Sequence, residues 1–195
     1  MDGENVVSLE VVAGPMFAGK TSELIRLVER EVYAKKNAGI FKPSFDTRYS
    51  AKEVVTHNGL RYRAYVVPAD QTGISKIRST SKKANLNVIA VDEIQFFPMS
   101  IVKTCVTLAD DGKRVIVSGL NLNFRGEPFA TTKEFLSIAD KVVFLTAVCV
   151  ICGGEASRTQ RLLGGKPAPK DSPIVVIGGK ELYEPRCRTC YQPAA

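Results

Sequence analysis

Histidine is almost absent from this sequence, since His57 is the only one among 195 residues. A single histidine excludes any metal site that needs two, including the His-Glu-x-x-His zinc hydrolases and most carboxylate-bridged metal oxidases. Long apolar runs are also missing, and no segment approaches the roughly 20 residues of a membrane-spanning helix. The first residues, MDGENVVSLEVV, lack the positive and apolar regions of a signal peptide. We therefore expect a cytoplasmic protein with no membrane partner.

Cysteine is scarce, and its odd number, five, argues against a disulfide framework in a chain expected in the cytoplasm. Internal repeats and low-complexity tracts are not visible. Hydrophobic residues make up 45% of the chain and charged residues 24%, which is typical of a folded protein rather than a disordered one. The length allows one domain, or one domain with a small appendage.

A concentrated basic surface is lacking too. The net charge is +7, but residues 1–148 carry 20 basic and 16 acidic side chains and residues 149–195 carry 7 and 4, so the excess is thin and spread. Binding to a nucleic acid would favour basic residues clustered on one face. We therefore expect no nucleic-acid partner, and only some attraction for small anions.

Apolar runs and helical periods alternate along most of the chain. The pattern predicts a buried strand at 6–13 that ends at Gly14, an amphipathic helix at 21–36 and a long polar loop at 44–59. Further strands are predicted at 61–67, 87–91, 114–118 and 141–147, and helices at 98–109 and 131–139. This order requires a parallel sheet with right-handed crossovers. After residue 148, glycines and prolines without a helical period predict a loop-rich lobe.

Residues 14–21 match the pattern G-x-x-x-x-G-K-[ST] between a predicted strand and a predicted helix. In such a loop, main-chain N–H groups and the helix N-terminus bind phosphate oxygens. Lys20 would contact the terminal phosphates, and the Thr21 hydroxyl would ligate Mg²⁺. The alternative is a glycine turn with an incidental lysine. The predicted ATP-binding residues are Gly14, Pro15, Met16, Phe17, Ala18, Gly19, Lys20, Thr21 and the adjoining Ser22.

Two adjacent carboxylates, Asp92 and Glu93, follow the predicted strand at 87–91. The carboxyl end of a parallel strand is where a Walker B acid faces a phosphate loop. Asp92 would hold Mg²⁺, through water, and Glu93 would act as a base toward a hydroxyl or water. The alternative is a strand that ends in two solvated acids.

A guanine-nucleotide switch protein is the main alternative function for a protein of this size that has a phosphate loop. The sequence has no Asn-Lys-x-Asp guanine-recognition motif. Residues 70–73 match the switch pattern D-x-x-G, but four residues are a weak signal, and we interpret them as a turn.

Cys149-x-x-Cys152 and Cys187-x-x-Cys190 are separated by 34 residues. Two such pairs are typical of a tetrahedral zinc site with four thiolates and no open position, which makes the metal structural. Thioredoxin-like chemistry is the alternative, but it needs only one pair. The fifth cysteine, Cys105, lies at an apolar helix position and is expected in the core.

Together these features predict an α/β fold: a P-loop NTPase-like parallel sheet flanked by helices, plus a small zinc-containing loop-rich lobe. We expect residues 1–148 to form the nucleotide-binding domain and residues 149–195 to form the lobe. Because the lobe is not expected to have a hydrophobic core of its own, the zinc would stabilise its fold.

Further segments accompany these motifs: Asp92-Glu93-x-Gln95-Phe96-Phe97, Asp46-Thr47-Arg48-Tyr49, and Gly178-Gly179 followed by Tyr183. With the phosphate loop and the cysteine pairs they cover the chain from about Gly14 to Tyr191. In this order they resemble the motif set of the cytosolic-type (type II) thymidine kinases. The resemblance is specific because several independent motifs occur in one order.

The resemblance implies ATP-dependent phosphorylation of the 5′-hydroxyl of thymidine to thymidine monophosphate, a salvage reaction that supplies DNA synthesis. Glu93 stands at the position of the family's general base. Lys20, Mg²⁺ at Thr21 and Arg48 would neutralise charge on the transferred phosphoryl group. Asp46, as a helper, and Gln95 join the predicted nucleotide-binding residues.

The resemblance also implies a thymine pocket of apolar side chains and of main-chain groups in a lasso loop held by the zinc lobe. The matching positions are Met16, Phe96, Leu120, Phe124, Phe129, Thr159, Val176, Ile177, Gly178 and Tyr183. A homotetramer and feedback inhibition by thymidine triphosphate across the substrate site are implied as well.

Two other functions are compatible with the motifs. A zinc-ribbon P-loop ATPase acting on nucleic acid would hydrolyse ATP faster when DNA or RNA is added, with a steep salt dependence. A non-catalytic nucleotide-binding interaction protein would bind ATP without consuming an acceptor. The spread of the charge argues against the ATPase.

Overall fold

A parallel sheet flanked by helices forms the larger part of the molecule. The structure is a computed structural model that describes residues 8–45, 53–55 and 61–193. As far as β7, its α-helices and strands are β1 (Ser8–Gly14), α1 (Lys20–Tyr33), β2 (Ala38–Pro43), β3 (Glu53–Val55), β4 (Arg61–Val67), α2 (Gln71–Lys83), β5 (Val88–Val91), α3 (Ser100–Asp110), β6 (Arg114–Leu120), α4 (Ala130–Ile138) and β7 (Lys141–Phe144), with a short 3-10 helix at Ile94–Phe96 between β5 and α3.

The strand order in this sheet is β3-β4-β2-β5-β6-β1-β7. Among the described residues, six strands of this sheet (β4, β2, β5, β6, β1 and β7) run parallel to one another. Strand β3, at the edge, pairs antiparallel with β4. The predicted α/β class is therefore confirmed. Strand β6 separates β1 from β5, so the two strand ends that carry the predicted phosphate loop and acid pair lie on either side of the end of β6.

Each face of the sheet buries one hydrophobic cluster. On one face, Val12 of β1 and Ile116 of β6 pack against Leu24, Ile25 and other apolar residues of α1. On the other face, alternate residues of the same strands pack against apolar side chains of α2, α3 and α4. Successive strand residues point to opposite faces, so a strand covered on both sides is apolar throughout. This burial of both faces holds the carboxyl ends of the strands in place.

Strand β2 and helix α2 of the larger part of the molecule were not predicted. Strand β2 contains Gly39, a residue that weakens strands, yet its backbone is buried. A Cβ atom on Gly39 would lie 2.7 Å from Leu86 Cδ1 and 3.1 Å from Tyr65 Cε2, so close packing of distant residues explains the glycine. The interpretation of 70–73 as an isolated turn was wrong, because these residues begin α2. The Asp70 side chain caps that helix by accepting a hydrogen bond from the Gly73 N–H at 3.0 Å.

Two predicted segments differ from the structure. The prediction of a loop at 44–59 was wrong in part, since this segment contains β3 (Glu53–Val55). This short strand is defined by its backbone hydrogen bonds to β4, which local sequence patterns do not indicate. The strand at 141–147 ends at Phe144, the last residue that pairs with β1, and Ala147 begins a separate strand because Ala147 and Val148 pair with Ala156 and Glu155 instead.

The remaining strands are short: β8 (Ala147–Val148), β9 (Glu155–Ala156), β10 (Arg158–Leu163), β11 (Lys166–Pro167) and β12 (Tyr183–Arg186). They form a two-stranded β8-β9 sheet and a three-stranded β11-β10-β12 sheet. Residues 147–193 contain no helix, in agreement with the predicted loop-rich lobe. In the part of the chain that the structure describes, no helix has both the length and the apolar character needed to cross a membrane.

Candidate active site

The predicted phosphate loop connects β1 to α1 at the carboxyl edge of the sheet. Gly14 passes so close to β7's end that a Cβ atom there would lie 2.3 Å from Leu145 O. Gly19, with φ 81°, adopts the left-handed conformation at the N-cap of α1, where glycine is favoured. Lys20 begins the helix and donates a hydrogen bond from Nζ to Pro15 O at 2.7 Å. The loop thus folds around its own lysine at a helix N-terminus, the arrangement that binds phosphate.

The acid pair follows β5 and adjoins this loop. Thr21 Oγ1 donates a hydrogen bond to Asp92 Oδ2 at 3.0 Å. Ser118, in the intervening strand β6, donates to Asp92 Oδ1, and so does the Glu93 N–H at 3.0 Å. Residues 71 positions apart in the sequence therefore share one site.

Asp92 is 4% exposed. Burial, chiefly, and the neighbouring Glu93 carboxylate raise its pKa to about 6, against the opposing effect of its three hydrogen bonds. The residues fit Mg²⁺, because the Thr21 hydroxyl can offer a lone pair to the ion while it donates its proton to Asp92 Oδ2. Asp92 would then hold the ion through water, as predicted from the sequence. A bound cation would also offset the cost of burying the carboxylate.

Glu93 lies in the cavity with an unusual backbone conformation. Its φ of 53° and ψ of 45° are left-handed, which is uncommon for residues other than glycine and clusters at functional sites. Gln95 Nε2 donates a hydrogen bond to Glu93 Oε2 at 2.5 Å. The acid is thereby held at the edge of the sheet, next to the buried Asp92.

One cavity joins the phosphate loop, the acid pair and the predicted thymine pocket. All ten predicted pocket residues line it: Met16, Phe96, Leu120, Phe124, Phe129, Thr159, Val176, Ile177, Gly178 and Tyr183. Of the predicted nucleotide-binding and catalytic residues, Phe17, Gly19, Lys20, Thr21, Ser22, Asp92 and Glu93 line it too. Within the described ranges, the cavity wall leaves out Gly14, Pro15, Ala18 and Gln95. Asp46 and Arg48 lie outside the described residues.

Side chains outside the segment at 172–178 hold its main chain, and residues 174–178 of this segment form one wall of the cavity. Arg125 Nη2 donates to Ser172 O at 3.1 Å, and Arg161 Nη1 donates to Pro173 O. The Tyr183 hydroxyl donates to Val176 O at 2.7 Å. These bonds anchor the main chain of a segment that has no helix or strand of its own.

The phosphate loop also contacts the small lobe directly. The Met16 N–H donates a hydrogen bond to Thr159 Oγ1 in β10 at 3.0 Å. Phe17 and Ala18 pack against the buried cluster that contains Cys149. The lobe therefore shapes both the base pocket and the phosphate loop.

Lys42 is a cavity residue that the sequence patterns did not indicate. It is 4% exposed and lines the same cavity as Lys20 and the acid pair. Strand β2, which carries it, was not predicted, so its position at the carboxyl end of a central strand could not be recognised. The local run Ile40-Phe41-Lys42, an apolar pair followed by a charge, is the one signal the sequence offers.

The four paired cysteines converge on one point. Their sulfur atoms, Sγ of Cys149, Cys152, Cys187 and Cys190, all lie within 4.8 Å of one another. The Sγ atoms of Cys152 and Cys187 are 3.7 Å apart, and a tetrahedral Zn²⁺ with bonds of about 2.3 Å separates its sulfur ligands by about 3.8 Å. The four cysteines thus fit a zinc ion. Cys105 is buried in the core instead, and burial raises the pKa of its thiol to about 12.

A phosphate loop that faces an acid pair across the carboxyl edge of a parallel sheet defines a P-loop protein that binds nucleoside triphosphates. The family model for thymidine kinase matches residues 7–191. A thymidine kinase of Thermococcus kodakarensis is 57% identical over 180 residues, which cover 92% of this chain and 91% of that protein. A thymidine kinase of Pyrobaculum aerophilum is 54% identical over 183 residues, covering 94% and 97% respectively. The chain belongs to the thymidine kinase family, as the motifs predicted, and it is a phosphotransferase.

Proposed function

We propose that the protein transfers the γ-phosphoryl group of ATP to the 5′-hydroxyl of thymidine, forming ADP and thymidine monophosphate. The observation that carries this proposal is the single cavity in which the phosphate loop, Glu93 and the apolar pocket meet. Family membership supports the same reaction. No observation among the described residues favours the nucleic-acid ATPase.

The residues of the cavity have separate roles in the transfer. Glu93 accepts the proton of the 5′-hydroxyl as that oxygen bonds to the γ-phosphorus, and the bond to the β,γ-bridging oxygen breaks with its electron pair staying on ADP. Lys20 and the main-chain N–H groups of the loop bind the phosphates. Thr21 and Asp92 would hold Mg²⁺, which neutralises phosphate charge when bound.

Thymidine recognition combines apolar contact with main-chain hydrogen bonds. The apolar side chains of the pocket enclose the base, and the anchored main chain at 174–178 supplies donors and acceptors for its polar edge. Recognition of this kind needs a backbone that stays in register, since every loosened group costs affinity. Arg48 and Asp46 are proposed to assist at the phosphates, as the family resemblance implies.

The substitution Glu93→Gln tests the proposed reaction. We expect kcat for thymidine phosphorylation to fall by about 10²–10⁴-fold, because the amide cannot accept the proton, while ATP affinity changes little. Initial rates with labelled ATP and a panel of nucleosides measure this. The matched control is Glu134→Gln, an exposed residue of α4, which should leave kcat unchanged. Phosphorylation by Glu93→Gln at the native rate would remove Glu93 from the mechanism.

We further propose a structural Zn²⁺ on the four cysteines, a cytoplasmic location and a homotetramer. Apolar side chains at the edge strand β7 and after it support contacts between copies, since Val142, Phe144, Val148, Val150 and Ile151 are 44–68% exposed. Sedimentation measures the assembly. Thymidine triphosphate is proposed as a feedback inhibitor that places its base in the thymine pocket and its phosphates at the loop, so it should compete with thymidine.

A further inference from the structure

Gln95 was predicted to bind nucleotide, but its side chain lies behind Glu93 rather than on the cavity wall. It belongs to a short 3-10 helix at Ile94–Phe96 and is 8% exposed. Its Nε2 donates to Glu93 Oε2 at 2.5 Å, and its Oε1 accepts the Leu120 N–H at 3.0 Å. Both ends of the amide are therefore bonded within the protein.

The orientation of this amide is determined by its partners. A main-chain N–H can only donate, so Leu120 requires the oxygen of Gln95, and the NH₂ group must face Glu93. Gln95 thus links the base to the end of β6, a strand buried on both faces.

Gly119, next to Leu120, allows this contact. A Cβ atom on Gly119 would lie 2.5 Å from Gln95 Oε1 and 2.7 Å from Ile94 Cγ2. The bare backbone lets the 3-10 helix pack directly on β6. On its other side, Thr131 Oγ1 of α4 donates to Phe97 O at 3.0 Å, which fastens the residue that follows the 3-10 helix. The turn that carries Glu93 and Gln95 is held from two elements.

We propose that Gln95 is a positioning residue for Glu93 and not a ligand of the nucleotide. The amide holds the plane of the Glu93 carboxylate through its bond to Oε2, at a residue whose backbone is left-handed. The inference rests on the proposed function, in which Glu93 takes the proton of the acceptor hydroxyl. Displacement of such a group by about 1 Å costs about 10²-fold in rate.

The test is a double-mutant cycle of Gln95→Met and Glu93→Gln, with kcat, KM for thymidine and the Kd of ATP measured for each protein. Gln95→Met alone should lower kcat by about 30–100-fold with both affinities within about threefold. In the Glu93→Gln background it should cause no further loss. The matched control is Gln71→Met, an exposed residue of α2, which should retain full activity.

A second variant covers the case in which Gln95→Met does not fold, since it leaves the Leu120 N–H without an acceptor. Gln95→Asn keeps the polar groups but is too short to bridge Glu93 and Leu120. It should lower kcat on its own and cause no further loss of kcat in the Glu93→Gln background. Losses that multiply in the cycle, or a lower ATP affinity with kcat unchanged, would overturn the inference. An unmodified chain that phosphorylates no nucleoside would instead overturn the proposed function, and the inference with it.

Discussion

At the scale of a single residue, the buried carboxylate of Asp92 lowers the free energy of unfolding of the metal-free protein. Burial, chiefly, and the Glu93 charge raise the pKa of its carboxyl to about 6, above the ordinary value of 3.8. The folded protein therefore holds this proton more tightly than the unfolded chain. The contribution of Asp92 to the stability of the metal-free protein should fall as pH rises from about 4 to about 6 and stay level above that, because between these pH values its carboxyl is protonated in the folded state and ionised in the unfolded chain. A bound cation would offset this cost.

Asp92→Asn should accordingly stabilise the metal-free protein at neutral pH while abolishing phosphorylation. We expect the midpoint of thermal unfolding at pH 8 to rise by about 3–6 °C, and the difference from the native protein to vanish toward pH 4. Unfolding followed by circular dichroism in a chelator, over a series of pH values, measures it. Asp110→Asn, at the exposed end of α3, is the control. A difference that does not depend on pH would contradict the prediction.

At the scale of one element, the segment at 172–178 depends on side chains that lie outside it. Arg161 donates to Pro173 O, and its guanidinium lies 5.2 Å from the ring centre of Phe124 and 5.9 Å from that of Tyr183. Cation–π contacts of this kind order the guanidinium over the rings. One strand residue, only 8% exposed, therefore joins the segment to two aromatic residues of the pocket.

Arg161→Met should weaken thymidine binding more than it slows the chemical step. We expect KM for thymidine to rise about tenfold or more, the equivalent of one charge-assisted hydrogen bond, with KM for ATP unchanged. Steady-state kinetics with each substrate varied in turn separate the two. Arg78→Met, on the exposed side of α2, is the matched control. Unchanged thymidine affinity in Arg161→Met would show that the segment is held without this arginine.

At the scale of the whole molecule, the four cysteines connect the lobe to the nucleotide site. The first pair follows β8 and the second follows β12, so the chain between them contains β10 and the segment at 172–178. The same cluster packs against Phe17 and Ala18 of the phosphate loop. Because a structural zinc contributes directly to folding, its loss should affect both substrates.

Cys187→Ser should abolish binding of the proposed zinc and lower the affinities for thymidine and for ATP. Elemental analysis of the purified protein gives the metal content, which we expect to fall from about one zinc per chain to near zero. Cys105→Ala, which alters the core cysteine, should keep its zinc even if its stability falls. Full zinc content in Cys187→Ser would contradict a site of four thiolates.

Much of the fold follows from patterns that are contiguous in the chain. Apolar runs and helical periods indicate β1, α1, β5, α3, β6 and α4 with boundaries close to those observed. Strand β2 and helix α2 were missed because each contains a glycine, and local patterns associate glycine with breaks in regular structure. The glycine in β2 is explained only by Leu86 and Tyr65, which leave no room for a side chain at Gly39. Gly73 was interpreted as part of an isolated turn, but the structure places it in the first turn of helix α2.

By itself, the sequence determined the class of protein, because the phosphate loop, the acid pair and the cysteine pairs are short segments whose chemistry depends on local spacing. The thymine pocket was located only through the family resemblance. The tertiary structure alone decided that Lys42 enters the cavity, that Gln95 contacts Glu93 and that Arg161 holds Pro173. These facts depend on the position of each side chain in the folded protein, and no local pattern encodes a contact that only the packing of the sheet and lobe creates.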